Sequence, residues 1–227
     1  MNRTILSLVT VVTLTLTLTL ATLVPGDAHG SLINFDLTTT AGANAYGPGA
    51  AVFGAVDSQW NHLSKSFSAT NAGLNDSLGG ATGVTLTYTW TGSGTSTQAG
   101  PYADLGASFI RTDSVVFAGL VPNSNYNLAI FSPESASFSI AGVTKTLNSA
   151  QANWSSLVQG SNYVLFPSIK SDDTGTLSFT PTAGYGNAWS AFELQAVTAP
   201  VPEPSSYALF ALGLGGLAFW KRRQKKA

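Results

Sequence analysis

GVTLTYTWT, residues 83–91, sets apolar and polar side chains in strict alternation. Val84, Leu86, Tyr88 and Trp90 fall on one face and Thr85, Thr87 and Thr89 on the other, the period of two that a half-buried β-strand produces. Trp90, in phase with the other three, reads as a core residue. Similar pieces follow at short intervals: SVVFAGL (114–120), YNLAIF (126–131), ASFSI (136–140) joined to VTKTL (143–147) through Ala141-Gly142, NYVLF (162–166), TGTLSFT (174–180) and WSAFELQAV (189–197). Upstream, SLINFDL (31–37) and AAVFGAV (50–56) add two more. No window outside the two ends of the chain sustains a 3.6-residue pattern. About ten short strands separated by Gly, Asn and Pro turns predict an all-β domain over residues 30–197, an antiparallel β-sandwich of jelly-roll type, with a closed barrel and an immunoglobulin-like sandwich as the alternatives.

Composition agrees. Of 227 residues only 9 % are charged, and there are no cysteines, so disulfides and thiolate metal sites are excluded. A body of about 170 residues buries roughly two thirds of its unfolded surface and can fold without such staples. Between positions 30 and 199, nine acidic residues stand against four basic ones, a net charge of −5. That balance offers no cationic footprint for a phosphate backbone, which argues against nucleic acid as a partner.

The two ends carry different information. Arg3 precedes an uncharged stretch from Ile5 to Val24, and Gly26-Asp27-Ala28 supplies the small residues a signal peptidase reads, so residues 1–28 are expected to be a helical signal peptide cut after Ala28. An uncleaved anchor is the competing reading, weakened by six threonines in the run. At the other end stand Val201-Pro202-Glu203-Pro204, an apolar stretch to Trp220, and the bases Lys221, Arg222, Arg223, Lys225 and Lys226. The 14 residues from Tyr207 to Trp220 would cover about 21 Å as a helix, which Ser205, Ser206 and snorkelling basic side chains extend toward membrane thickness. The expected organisation is therefore a linker over 198–204, one transmembrane helix over 205–220 and a basic cytoplasmic tail over 221–227. The prolines keep the linker extended and open to a protease.

In order and place, these three parts resemble the PEP-CTERM sorting signal of Gram-negative bacteria that make extracellular polysaccharide. The resemblance implies a precursor held in the inner membrane, a membrane-embedded exosortase as partner, cleavage near Pro202, Glu203 and Pro204, and delivery of the body to the cell surface or extracellular matrix. A looser resemblance covers the body. Gly47-Pro48-Gly49, Trp60-Asn61, Asn75-Asp76-Ser77-Leu78, the strand ending Ala118-Gly119-Leu120, Asp172-Asp173-Thr174-Gly175-Thr176 and Phe192-Glu193-Leu194-Gln195 look like exported bacterial domains similar to galactose-binding-like jelly rolls, many of which bind carbohydrate.

Catalytic motifs are scarce. His29 lies at the cleavage junction, which leaves His62 as the body's one histidine base, and there is no Gly-x-Ser-x-Gly elbow, His-Glu-x-x-His or phosphate loop. Gly92-Ser93-Gly94-Thr95 reads as a plain turn. Asp172 and Asp173 read as turn residues, with a calcium site as the alternative. Sugar rings stack on aromatic faces while amides and carboxylates take up hydroxyls, so Trp60, Asn61, Trp154 and Tyr185 are the candidate ligand residues, each weighed against ordinary packing. The expectation is a non-catalytic exported protein that binds extracellular polysaccharide. The alternatives are a purely structural or adhesive matrix component and a secreted polysaccharide hydrolase, for which two carboxyls facing each other across a cleft would be required.

Overall fold

The computed structural model describes residues 32–38, 47, 49, 51–64, 68–148, 154–182 and 187–197. Among the described residues, twelve strands form two facing sheets. In chain order they are β1 (Leu32–Thr38), β2 (Asn61–Ser64), β3 (Ala69–Asn75), β4 (Ala81–Thr95), β5 (Ser108–Ala118), β6 (Asn125–Phe131), β7 (Ala136–Ile140), β8 (Val143–Leu147), β9 (Tyr163–Lys170), β10 (Leu177–Pro181), β11 (Ala188–Trp189) and β12 (Ala191–Ala196). One short helix, α1 (Ala103–Ala107), precedes β5. The five-stranded sheet runs β2-β1-β12-β6-β9 and the other β3-β4-β5-β10-β7-β8, with β11 also on β5. Neighbours are antiparallel except β1 and β2, which run parallel.

Alternation explains most of this. In β4, Val84, Leu86 and Tyr88 are buried while Thr89 is exposed. In β12, Phe192 and Leu194 join Ile33, Phe35 and Leu37 of β1 in the core between the sheets. The centre of that core is aromatic. Phe35 stacks on Phe192 with centroids 4.8 Å apart and planes 6° off parallel, and Phe117 meets Phe192 edge-on at 4.7 Å. Trp189 lies against Tyr88, Phe179 and Phe35, and its indole N–H donates to Thr112 Oγ1 at 3.1 Å, so its one polar atom is satisfied. Each aromatic pair contributes about 0.5–1.5 kcal/mol beyond its burial. Ser190 is where the chain changes sheets. Its N–H bonds Phe131 O while its carbonyl accepts from Leu37 N.

Several expectations are corrected. Residues 51–56 form no strand; the segment is a loop strapped across the outer face of the five-stranded sheet, because its amide groups find a side chain there instead of a ladder. Gly92 to Thr95 is no turn but the end of β4, paired with β5 from Arg111 to Ser108. A side chain at Gly94 would collide with the Phe109 ring, which lies over that backbone. Trp90 is not core: it is 42 % exposed, because register shifts on both sides of its pair with Thr112 break the alternation. β2 and β3 were not anticipated, since NHLS and ATNAGLN carry almost no apolar period.

Among the described residues no helix is long and apolar enough to cross a membrane. The expected signal segment 1–28, linker 198–204, transmembrane segment 205–220 and basic tail 221–227 lie outside the described residues.

Candidate functional site

The five-stranded sheet buries both faces. Its inner face meets the other sheet, and its outer face carries a second core of Trp60, Leu105, Ala129, Phe131, Trp154 and Ala191, covered by the strap, the α1 region and residues 154–162. The candidate ligand residues fall in and around this layer. Trp60 is 8 % exposed and donates its indole N–H to Gly49 O at 3.0 Å, holding the start of the strap. Asn61 is a clamp. Its Nδ2 donates to Asn34 O and Asn75 O, both at 2.8 Å, and its Oδ1 accepts from Asn75 N at 2.8 Å, so it joins β1 to β3 across the sandwich edge.

Trp154 is fully buried. Its backbone N–H donates to Ala99 O at 2.7 Å and its carbonyl accepts from Tyr102 N at 3.3 Å, while its ring packs under α1. A methyl group at Gly106 would sit 2.7 Å from that ring, so the helix can approach only as glycine. The Trp154 indole N–H has no partner. Burial closes both rings to solvent and gives both scaffold roles. Tyr185 lies outside the described residues.

Asp172 shapes the turn between β9 and β10. Its Oδ1 accepts from Thr174 Oγ1 at 2.7 Å, Thr176 N at 2.7 Å and Thr174 N at 2.9 Å. The Thr174 hydroxyl first, then these amides, hold its carboxyl below the usual carboxylate range. Asp173 beside it is exposed. Among the described residues no three His, Cys, Asp or Glu side chains gather as a metal-binding group.

Two acids on the outer sheet face are fully buried, Asp36 of β1 and Glu193 of β12. Glu193 Oε2 accepts from Val52 N at 2.7 Å and Phe53 N at 3.1 Å, which fixes the strap, while its Oε1 has no partner. Burial pushes its pKa up to about 7 against the pull of those amides. Directly opposite in the β1–β12 register stands buried Asn34, whose Nδ2 donates to Gln59 O at 3.0 Å and whose Oδ1 also lacks a partner. A buried carboxyl oxygen with no donor favours the protonated acid. His62 Nδ1 is 3.8 Å from Asp36 Oδ2, and burial lowers the histidine's pKa.

An open pocket of about 330 Å³ lies beside the second core, lined by Thr95, Ser96, Thr97, Gln98, Asp104 and the two alanines of α1. Ser96 N bonds Ala107 O at 3.0 Å and Gln98 Nε2 donates to Ser96 Oγ at 2.6 Å, so β4, its loop and the helix are locked together. Hydroxyls, an amide and one exposed carboxylate over small apolar contacts suit a polyhydroxylated ligand. Sequence reading missed this pocket, because Thr and Ser runs look alike in strands, turns and sites. Glu193 was detectable as a charge inside an otherwise apolar strand.

The family model for the PEP-CTERM protein-sorting motif matches residues 200–223. No curated protein sequence matches the chain. Among solved structures, a β-glucuronidase of Bacteroides uniformis is similar at 14 % identity over 49 % of this chain and 14 % of that one, TM-score 0.36. Protein YxiM of Bacillus subtilis is similar at 14 % identity over 74 % of this chain and 40 % of that one, TM-score 0.41. A second B. uniformis β-glucuronidase, covalently bound to cyclophellitol-6-carboxylate aziridine, is similar at 11 % identity over 61 % and 20 %, TM-score 0.36. This chain spans less than half the length of each.

Proposed function

We propose that the chain is the precursor of a non-catalytic surface or extracellular-matrix protein whose jelly-roll sandwich binds extracellular polysaccharide. The observation that carries the reading is the sorting motif at residues 200–223, which marks an exported protein handled by a membrane-embedded exosortase. In this account residues 1–28 direct export, 205–220 hold the precursor in the inner membrane with the basic tail inside, and cleavage near Pro202, Glu203 and Pro204 frees the body.

The strand order supports the jelly roll. With β3, β4, β2 and β11 set aside as additions, the eight strands β1, β5, β6, β7, β8, β9, β10 and β12 lie as β1-β12-β6-β9 facing β5-β10-β7-β8. That is the order two nested Greek keys produce when a ribbon of paired strands is wrapped around a core.

Support for binding without turnover comes from the acids. Asp36 and Glu193 are fully buried, Glu193 beneath the strap, where neither can exchange a proton with a substrate, whereas the pocket beside α1 offers hydroxyl and amide groups for hydrogen bonding. A purely structural matrix component is the second reading, favoured by the burial of Trp60 and Trp154. Titration of the full chain with exopolysaccharide fragments separates the two. Binding that weakens at least tenfold in Thr97→Ala/Gln98→Ala supports the pocket, and no saturable binding favours the structural role.

A further inference from the structure

We infer that the end of the sandwich from which the chain departs toward its tail is a docking face for the membrane protease that removes the tail. The inference rests on the sorting reading above and adds a surface to it. Val197 is the last described residue, its N–H bonded to Asn125 O at 2.8 Å. It follows β12, which is held between β1 and β6 and cannot be drawn out without opening the sheet. Seven residues separate Val197 from Pro204, at most about 25 Å of fully extended chain. A domain of this length has a radius of gyration of about 15 Å. A protease that takes the Pro-Glu-Pro segment into its active site is therefore held within about 25 Å of the pole where β12 ends.

That pole is built from the loops around Val56, Leu78 and Val121, together with the β9–β10 turn. Gln59 N bonds Ser77 O and Ser77 N bonds Leu32 O, both at 2.7 Å, so the first two loops sit at the start of β1, which pairs with the end of β12. Leu120 N bonds Gly175 O and Asn123 N bonds Asp172 O, both at 3.0 Å, which joins the other two. Among the described large apolar side chains, the three most exposed are Val56 at 85 %, Leu78 at 78 % and Val121 at 64 %, and all three stand here, with Val197 at 39 % beside them. The most exposed apolar tips at one end of the protein mark an interaction surface, although Trp90, Val143 and Val158 are exposed as well.

Charge selects the partner. Asp57, Asp76, Asp172 and Asp173 surround these tips, against Lys170. An acidic rim is repelled by anionic lipid headgroups, so a bilayer surface is the poorer match. The complement is a protein face with apolar pockets and a basic border.

The test follows tail removal by intact mass, using the full-length precursor co-reconstituted with the exosortase in vesicles. The triple variant Val56→Ser/Leu78→Ser/Val121→Ser is expected to be cut at least tenfold more slowly than wild type, with the loss in kcat/KM. Trp90→Ser/Val158→Ser, which removes exposed apolar groups away from this pole, is expected within twofold of wild type. Photocrosslinking from a reactive residue in place of Leu78 gives a readout that does not depend on triple-variant folding, and adducts to the protease are expected. Cleavage of the triple variant within twofold of wild type, or adducts to lipid alone, would overturn the docking face. A wild-type chain that keeps its tail through Ala227 in the presence of the protease would instead sink the sorting reading itself.

Discussion

Glu193 Oε2 accepts the amide N–H of Val52 at 2.7 Å, joining the middle of a central strand to a strap residue 141 positions away. The bond explains how a segment read as a strand can lie across a sheet without pairing to it. It also places a carboxyl where water does not reach, and the consequence is a pH dependence with a definite sign. The unfolded carboxyl titrates near 4.5 and the folded one near 7. Between those values the native state keeps a proton that the unfolded chain has lost. Stability from this group is therefore full below about pH 4.5 and declines as pH rises toward 7, by about 3 kcal/mol in all. Glu193→Gln keeps the acceptor for Val52 and Phe53 and removes the titrating carboxyl. The Tm of E193Q minus wild type should rise between pH 4.5 and 7 and then level off. Parallel curves across that range would contradict the protonated carboxyl.

Asp172 has the opposite sign. Its pKa is held below the ordinary 3.8, so its contribution is present at neutral pH and is lost as the solution is acidified through its folded pKa. Asp172→Ala should lower Tm at pH 7, and the deficit should shrink as the solution is acidified below pH 3.8. Because Oδ1 already serves three donors within the turn, adding calcium or EDTA at pH 7 should move Tm by less than about 1 °C, near the resolution implied by a few tenths of a kcal/mol. A calcium-dependent rise of several degrees would restore the metal reading for Asp172 and Asp173.

Trp154 fills the space under α1 with a donor that finds no acceptor. Trp154→Ala should cost about 3–5 kcal/mol through the cavity it leaves. Trp154→Phe, which removes the unpartnered N–H along with part of the ring, should cost about 1–2 kcal/mol. Gly106→Ala should behave more like the first than the second, since the added methyl meets the ring at 2.7 Å. Urea titrations of the three variants measure this order; a Phe variant as damaged as the Ala variant would imply that the indole N–H does have a partner.

Asn61 makes three side-chain hydrogen bonds that join two strands from different sheets. Asn61→Ala should destabilise by about 2–4 kcal/mol, since two carbonyls and one amide lose their partner. Its effect on polysaccharide affinity, measured on the folded fraction, should stay within twofold. A large affinity loss with little change in stability would mean Asn61 serves a ligand.

Strands with one buried face were legible in the sequence, as VTLTY (84–88) and ASFSI illustrate, because alternation is the direct imprint of a core on one side. β2 and β3 were not, since Asn61–Ser64 and Ala69–Asn75 are held by their neighbours β1 and β4 and carry little pattern of their own. The strap misled for the converse reason. Val52 and Phe53 are apolar because they cover the second core, and apolar runs look alike whether they pair or merely cover. Trp60 and Trp154 show the same ambiguity at the level of function, for packing and sugar stacking both call for a flat apolar ring beside polar groups. The tail was the most legible feature of all, because its motif is a run of consecutive residues and is visible in the sequence without any fold.

The most direct test of the account is the intact mass of the protein recovered from its host, outside the cell and from the membrane fraction. The account predicts an extracellular form that begins near His29 and ends between Val201 and Ser205, with the longer form confined to membranes. A tail that persists through Ala227 on every extracellular molecule would contradict it.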